Sequence, residues 1–256
     1  MRIVIKIGTS TLTHAGGRLN IRRTEELCKV IADLKNAGLE VIMVSSGAIA
    51  MGVGKMSLAK RPDDVPTKQA LAAVGQCELM YIYDQQFSRY NHAVGQILIT
   101  AADINDADRY RNFSVTLERL LELGVIPIIN ENDTIATDEI VIGDNDTLGA
   151  RVAIAAKADM LVLLSDIEGL YTADPHKDPD AVLVREVRNV DDVEALAGGA
   201  GTARGTGGMV TKLTAARMCM DAGCDMVIAN GAKPELLYDV VAGGEVGTRF
   251  VAKKGE

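Results

Sequence analysis

The sequence predicts an α/β fold on a mostly parallel sheet, and three observations carry the expectation. Short runs rich in β-branched residues and bounded by turn residues recur along the chain, as buried parallel strands require. Between them lie stretches whose apolar residues repeat at helical spacing. The two kinds alternate through most of the chain, which is the pattern of helices packed on a parallel sheet. With 256 residues, 48% of them hydrophobic, the chain can fill one large domain or two small ones.

Arg2 to Ile7 and Leu39 to Ser45 read as strands. The helix between them carries Leu27, Val30, Ile31 and Leu34 on one stripe, and Gly38 stands where a left-handed cap would end it. A long helix follows from about Thr67 to Tyr90, then a strand near 94 to 99. Next come a helix with Phe113, Leu117, Leu120 and Leu121 on one face and a strand from Val125 to Ile129. Thr134 to Ile142 reads as an excursion or hairpin, after which Asp144 opens an Ala-rich helix to Lys157 and Met160 to Leu164 forms a strand. The second half changes character. A loop with Asp174-Pro175 and Asp178-Pro179, a Gly-rich run from Gly198 to Gly208, and a helix aligning Met209, Leu213, Ala216 and Met220 precede a last strand and helix. No Pro/Ser linker or internal repeat divides the chain, so a single continuous domain over 1–256 with two lobes is expected.

Bulk properties exclude several functions. A net charge of -8 argues against a broad nucleic-acid footprint. Cys28, Cys77, Cys219 and Cys224 include no C-x-x-C pair and read as reduced thiols, while His14, His92 and His176 are too scattered for a zinc site, so no metal-ligating set is expected. Lys6 interrupts the apolar run at the N-terminus, and no later stretch is long enough to span a bilayer. No membrane partner is expected, and the cytoplasm is the expected compartment.

Polar motifs fall at the ends of these elements. Lys6-Ile7-Gly8-Thr9-Ser10 closes the first strand, at the carboxyl end where parallel sheets bind ligands; the lysine suits phosphate, or alternatively reaches water from an edge strand. Ser45-Ser46-Gly47-Ala48-Ile49-Ala50 makes a small-residue turn that would present free N–H groups to an anion, or simply cap a helix. Asn130-Glu131-Asn132-Asp133 and Gly143-Asp144-Asn145-Asp146 concentrate polar groups at strand and helix ends; capping alone could explain one cluster, but two are harder to assign to it and suit a ligand. The second is not a calcium loop, because the position-12 acid is Ala155. Gly205-Thr206-Gly207-Gly208-Met209-Val210-Thr211-Lys212 joins a glycine loop to a helix with a lysine in its first turn, which suits polyphosphate, or alternatively is a plain surface loop. It lacks the P-loop spacing, and Val210 stands where a dinucleotide fingerprint needs its last glycine.

Transfer of phosphate to a carboxylate fits these parts. A carboxylate with a pKa of about 4.3 is already ionised at neutral pH, so no general base is required. The difficulty is bringing two anions together, which calls for cations around the transferring group. Lys6 and Lys212 can supply them, and Asp146 can hold both ammonium groups in place.

These five motifs, with Ser165-Asp166-Ile167-Glu168-Gly169-Leu170-Tyr171-Thr172-Ala173-Asp174-Pro175 between the last two as a sixth, occur in the order found in the glutamate 5-kinases of the amino acid kinase superfamily, and the resemblance runs from Ile3 to about Phe250. It implies a three-layer α-β-α sandwich around a mainly parallel sheet, with an acceptor lobe over about 1–150 and an ATP lobe over about 151–256. It further implies that Lys6 and Lys212 neutralise phosphate and Asp146 orients them, that Ser46, Asp133 and Asn145 bind L-glutamate, and that Ser165, Asp166 and Thr206, Gly207, Gly208, Met209, Val210, Thr211 and Lys212 hold ATP with Mg2+. The implied reaction makes L-glutamyl 5-phosphate, the first step of proline synthesis, with proline as feedback inhibitor and a homo-oligomer, dimer or tetramer, as the assembly. Ser165 stands where the family often has Thr, and His176 replaces a common Arg. Many members continue into a C-terminal PUA domain; here the chain stops soon after Phe250, so a short or truncated form without it is expected. Relatives that phosphorylate aspartate, N-acetylglutamate or UMP, and a non-catalytic proline or glutamate sensor, are the rival readings. A nicotinamide oxidoreductase would need a phosphate fingerprint that Gly8-Thr9-Ser10-Thr11 does not supply.

Overall fold

The computed structural model describes residues 1–14, 16–136, 145–175, 177–198 and 208–253. The first half runs β1 (Arg2–Ile7), α1 (Thr9–Leu12), α2 (Ile21–Asn36), β2 (Glu40–Val44), α3 (Ala48–Lys55), α4 (Val65–Ser88), β3 (Val94–Ile99), α5 (Ala101–Asn105), α6 (Ala107–Glu122) and β4 (Ile126–Glu131). The second runs α7 (Asn145–Ala155), β5 (Met160–Ser165), β6 (Glu186–Val187), a 3-10 turn (Val190–Val193), α8 (Glu194–Gly198), α9 (Met209–Asp221), β7 (Asp225–Asn230), α10 (Leu236–Val241) and β8 (Thr248–Phe250).

The strands form one sheet in the order β3-β4-β2-β1-β5-β7-β8-β6. Pairing is parallel from β3 through β7; β8 runs antiparallel to β7, and β6 pairs parallel with β8. The chain builds outward on one side of β1 through β2, then crosses to β5 on the other, with Lys6 opposite Val44 and Leu163. That reversal opens a crevice at the carboxyl end of β1, where ligands bind in open α/β sheets.

Alternation along the strands divides the core in two. Ile3, Ile5, Val41, Met43, Ile128 and Val162 pack with buried residues of α2 and α4, whereas Val4, Ile42, Ile129, Leu161 and Leu163 pack with those of α6, α7 and α9. The expected sandwich of helices on both faces of a mainly parallel sheet is therefore present.

Local chemistry explains the boundaries. The Asp64 side chain accepts from the Thr67 amide at 2.9 Å and Pro66 sits in the first turn, so α4 starts two residues before its expected position. Gly38 has φ of +94° after α2, as its cap position implied. Helix α5, closed by a Thr100–Asp103 capping box, and strands β6 and β8 were not anticipated, because elements of two to five residues show no period. The expected excursion over Thr134 to Ile142 lies outside the described residues beyond Ala136, as do Asp144 and His176. All four cysteines are free thiols. Among the described residues no helix is long and apolar enough to cross a membrane.

Candidate active site

Strand periodicity places the first site residue. Lys6 shares its side of β1 with Val4, the side covered by α7. Gly149 of α7 packs onto the Lys6 side chain, and a Cβ there would lie 3.4 Å from Lys6 Cβ. The ammonium group meets Asp146 Oδ1 at 2.5 Å. From the other direction Lys212, in the first turn of α9, reaches Asp146 Oδ2 at 2.8 Å. The three lysine and aspartate residues are 9%, 1% and 7% exposed for Lys6, Asp146 and Lys212 respectively. Lys6 thus sits on a central strand, which overturns the alternative of an edge lysine reaching water.

Burial of Asp146 would by itself raise its carboxyl pKa, but Lys6 and Lys212 outweigh burial and hold it below the ordinary carboxylate range. One carboxylate between two ammonium groups leaves a net positive charge in a nearly dry setting. The N-termini of α7 and α9 add their amide dipoles at the same place. Such a site is built to receive an anion. Thr211 closes the α9 turn by donating to the Gly208 carbonyl at 2.8 Å and lies 3.5 Å from Asp146 Oδ2.

Ser46 and Asn145 meet beside this triad. Asn145 Nδ2 donates to Ser46 Oγ at 2.8 Å, the Ser45 carbonyl at 2.6 Å and Asn130 Oδ1 at 3.0 Å. Asn130 in turn donates to Gln76 Oε1 at 2.9 Å, and its Oδ1 accepts from the Glu131 amide. Gln76 and Asn130 were not among the expected site residues. A glutamine directly after the small-residue and apolar run Ala70 to Gly75 was the available signal for the first. Backbone proximity seats the turn itself: a Cβ at Gly75 would fall 1.8 Å from the Ala48 carbonyl, and one at Gly52 2.1 Å from that of Leu71. Gly47 provides the left-handed turn, with φ of +95°.

Asp133 stands apart from these two. It lies just past β4, half-buried, and among the described residues it bonds to neither Ser46 nor Asn145. Burial raises its pKa, and the charge of Arg61 opposes that rise. Glu131 is pushed up to about 7 by burial and by Asp133, and its buried Oε1 has no hydrogen-bond partner among the described residues.

On the other side of β1, Ser165 ends β5 and its hydroxyl donates to Asp166 Oδ1 at 3.1 Å. Gly208, Met209, Val210 and Thr211 form the start of α9, with the Val210 side chain 60% exposed; Thr206 and Gly207 lie outside the described residues. Next to Met209 opens a largely apolar cleft of about 400 Å³, lined by Ile167, Leu170, Tyr171, Pro175 and Leu196 among others. Thr248 on β8 braces its wall, accepting from the Leu170 amide at 2.8 Å and donating to the Val184 carbonyl at 2.6 Å. No sequence pattern pointed to Thr248, whose role depends on a strand of three residues.

Comparison with known proteins bears on the family and the fold. The model of the amino acid kinase family matches residues 1–230. A glutamate 5-kinase of Symbiobacterium thermophilum is 53% identical over 97% of this chain and 95% of its own, and that of Clostridium perfringens is 50% identical over 100% and 97%. Among solved structures, carbamate kinase from Giardia lamblia bound to AMP-PNP superposes with a TM-score of 0.70 at 17% identity, covering 98% of each chain. Isopentenyl phosphate kinase from T. acidophilum, in a product complex, gives 0.63 at 19% identity over 98% of this chain and 100% of that one. At those identities the structures speak for the fold alone.

Proposed function

The chain belongs to the amino acid kinase family, and on that premise we propose that it transfers the γ-phosphoryl group of ATP to the side-chain carboxylate of L-glutamate, giving ADP and L-glutamyl 5-phosphate at the entry to proline biosynthesis. Identity of about half the residues with glutamate 5-kinases over the full chain supports the acceptor. The observation that carries the chemistry is the buried Lys6–Asp146–Lys212 triad.

In this reading the acceptor carboxylate needs no base, being ionised already. Lys6 and Lys212 lower the repulsion between that carboxylate and the phosphoryl group and meet the charge that develops on its oxygens. Asp146 holds both ammonium groups at fixed positions and is not consumed. Ser46 and Asn145 hydrogen-bond the substrate, locked by Asn130 and Gln76, and Asp133 takes its ammonium group. The N-terminal lobe, about 1–150, holds glutamate and the C-terminal lobe the nucleotide. Ser165, Asp166 and the segment from Thr206 to Lys212 hold the phosphates and ribose, and the apolar cleft beside Met209 takes the base. Mg2+ would come with the nucleotide rather than on the triad, since both Asp146 oxygens are already engaged by lysines. When bound it neutralises phosphate charge. Inhibition by proline at or beside the acceptor loop, a dimeric or tetrameric assembly and a cytoplasmic location complete the proposal.

The test is ADP release with Mg-ATP and, separately, L-glutamate, L-aspartate, N-acetyl-L-glutamate and UMP, with hydroxylamine present. Turnover with L-glutamate accompanied by hydroxamate is the expected result. Turnover with another acceptor would reassign Ser46, Asp133 and Asn145, and none at all would bring the sensor reading forward.

A further inference from the structure

Helix α4 carries a ladder of polar side chains on one face. Gln69, Gln76 and Tyr83 stand seven residues apart, which keeps them on the same side of the helix. Each bonds to a segment that holds part of the acceptor site. Gln69 donates to the Ala136 carbonyl at 2.9 Å, in the loop that carries Asp133. Gln76 Oε1 accepts from Asn130 Nδ2 at 2.9 Å, and the Tyr83 hydroxyl shares a hydrogen bond of 2.9 Å with Ser45 Oγ, next to Ser46. The helix thus pins both the β2–α3 turn and the loop after β4.

Gln76 differs from the other two in what it leaves unused, and its partners fix which end that is. The Ser45 carbonyl can only accept, so Asn145 turns its Nδ2 toward it and donates from the same nitrogen to Asn130 Oδ1 at 3.0 Å. Asn130 Oδ1 also accepts from the Glu131 amide, so Asn130 Nδ2 faces α4 and only an oxygen of Gln76 can meet it. Gln76 Nε2 is left over. That nitrogen is buried and has no hydrogen-bond partner among the described residues, on a side chain 8% exposed. A buried donor left unpaired costs about 1–3 kcal/mol, so this one calls for a partner. The neighbouring Gly75 packs on Ala48 at the start of α3, which sets Gln76 between the Ser46-Gly47 turn and Asn130.

Resting on the glutamate reading above, we propose that Gln76 Nε2 donates to the α-carboxylate of the acceptor and selects acceptors that have one. An N–H donor has nothing to offer the ammonium group, so its target is one of the two carboxylates. The side-chain carboxylate belongs at the triad, with Lys6 and Lys212. Gln76 connects to the triad through Asn130 and Asn145, and Asn130 stands on the strand that leads to Asp133, the partner of the ammonium group. The α-carboxylate shares its carbon with that ammonium and is therefore the one that Gln76 meets. An acceptor without it leaves the buried donor unpaired, and that cost discriminates. The contact lies away from the transferred phosphate, so its loss acts on KM rather than on kcat.

The experiment compares Gln76→Met and Gln76→Glu with the wild type, using L-glutamate and 4-aminobutyrate, which lacks the α-carboxylate. The second compound is measured as acceptor or, where turnover is slow, as competitive inhibitor against glutamate. For Gln76→Met the expected result is a rise of roughly tenfold or more in the KM for glutamate, with little change for 4-aminobutyrate and with kcat and the KM for ATP within about threefold. Gln76→Glu separates donation from bracing of Asn130. Its carboxylate can still accept from Asn130 but puts an anion where the donor stood, so the KM for glutamate should rise further than in Gln76→Met. A wild-type KM for glutamate in Gln76→Glu would reduce Gln76 to a brace and overturn the assignment, as would an equal loss for both compounds in Gln76→Met. A crystal structure of the wild type with L-glutamate gives a check that does not depend on how the variants fold. Gln76 Nε2 within hydrogen-bond distance of the α-carboxylate is expected, and Nε2 facing any other group overturns the assignment. Wild type that turns over glutamate beside unaffected variants fails this assignment alone, whereas wild type inert toward glutamate fails the functional reading.

Discussion

Two lysines around one aspartate make an uneven triad, and the unevenness separates its effect on folding from its effect on catalysis. Removing Asp146 would strand two buried ammonium groups, whereas removing either lysine leaves a neutral pair. We expect Lys6→Ala and Lys212→Ala to lower kcat by roughly a hundredfold or more, as deletion of a charge-stabilising donor does, while each variant still unfolds cooperatively near the wild-type denaturant midpoint. Near-normal turnover in either folded variant would remove that lysine from the chemistry. Glu131 poses a separate question of pH. Burial and Asp133 raise its pKa from 4.5 to about 7, so the native state binds its proton more tightly than the unfolded chain. Its contribution is favourable below the unfolded pKa and is lost as pH rises through the folded value. Glu131→Gln should therefore stabilise the protein at pH 8 and much less at pH 5, by on the order of 1 kcal/mol after allowance for solvent screening of a part-exposed group. Urea titrations at the two pH values check this, and an equal effect at both would refute it. The triad was legible in the sequence because charged residues at strand ends and after glycine loops stand out against apolar runs. Asn130 stood out only as part of its polar motif and Gln76 not at all, since the two act through each other at a separation of more than fifty positions that only the fold closes.

Among the elements, α3 and α4 show where periodicity misleads. Gly75 inside a 24-residue helix reads as a weak point, worth about 1 kcal/mol relative to alanine on propensity alone. The packing reverses the sign. A Cβ at 75 would lie 1.8 Å from the Ala48 carbonyl, and backbone cannot yield as a flexible side chain does. Gly75→Ala should thus push α3 from α4 at a net loss of about 1–3 kcal/mol, the overpacking term exceeding the propensity gain. Because Ala48 follows the Ser46-Gly47 turn directly, the shift should also raise the KM for glutamate more than that for ATP. Thermal unfolding and the two KM values test it; a more stable protein with normal kinetics would show that the helices can separate freely. Long elements such as α2 and α6 were evident from their apolar stripes. The elements of two to five residues, including β8 with Thr248, exist because neighbouring strands and loops hold them, which no local pattern reports.

At the scale of the whole molecule, the sheet order explains why separate motifs make one site. Strands β1, β2 and β5 lie side by side although their sequence positions are far apart, and their carboxyl ends bring residues 6, 46 and 165 to one rim. Alternation of strand and helix predicted the layers, but the order of strands depends on which faces pack, and that is a tertiary outcome. The same scale sets an electrostatic conflict. A chain of net charge -8 has to bind two anionic substrates, so the distant field repels them while the buried triad and two helix N-termini attract. Salt distinguishes these contributions. At an ionic strength of about 0.1 M the Debye length is about 10 Å, so added salt weakens the long-range repulsion more than contacts between groups that are nearly dry. The KM for Mg-ATP should therefore stay level or fall as KCl is raised from about 20 to about 200 mM at fixed free Mg2+. Lys212→Ala should show a higher KM with the same downward trend, because the repelling field remains when the local attraction is reduced. A KM that climbs severalfold with salt in the wild type would instead indicate that exposed cations capture the nucleotide, and the buried triad would then lose its place as the principal phosphate-binding group.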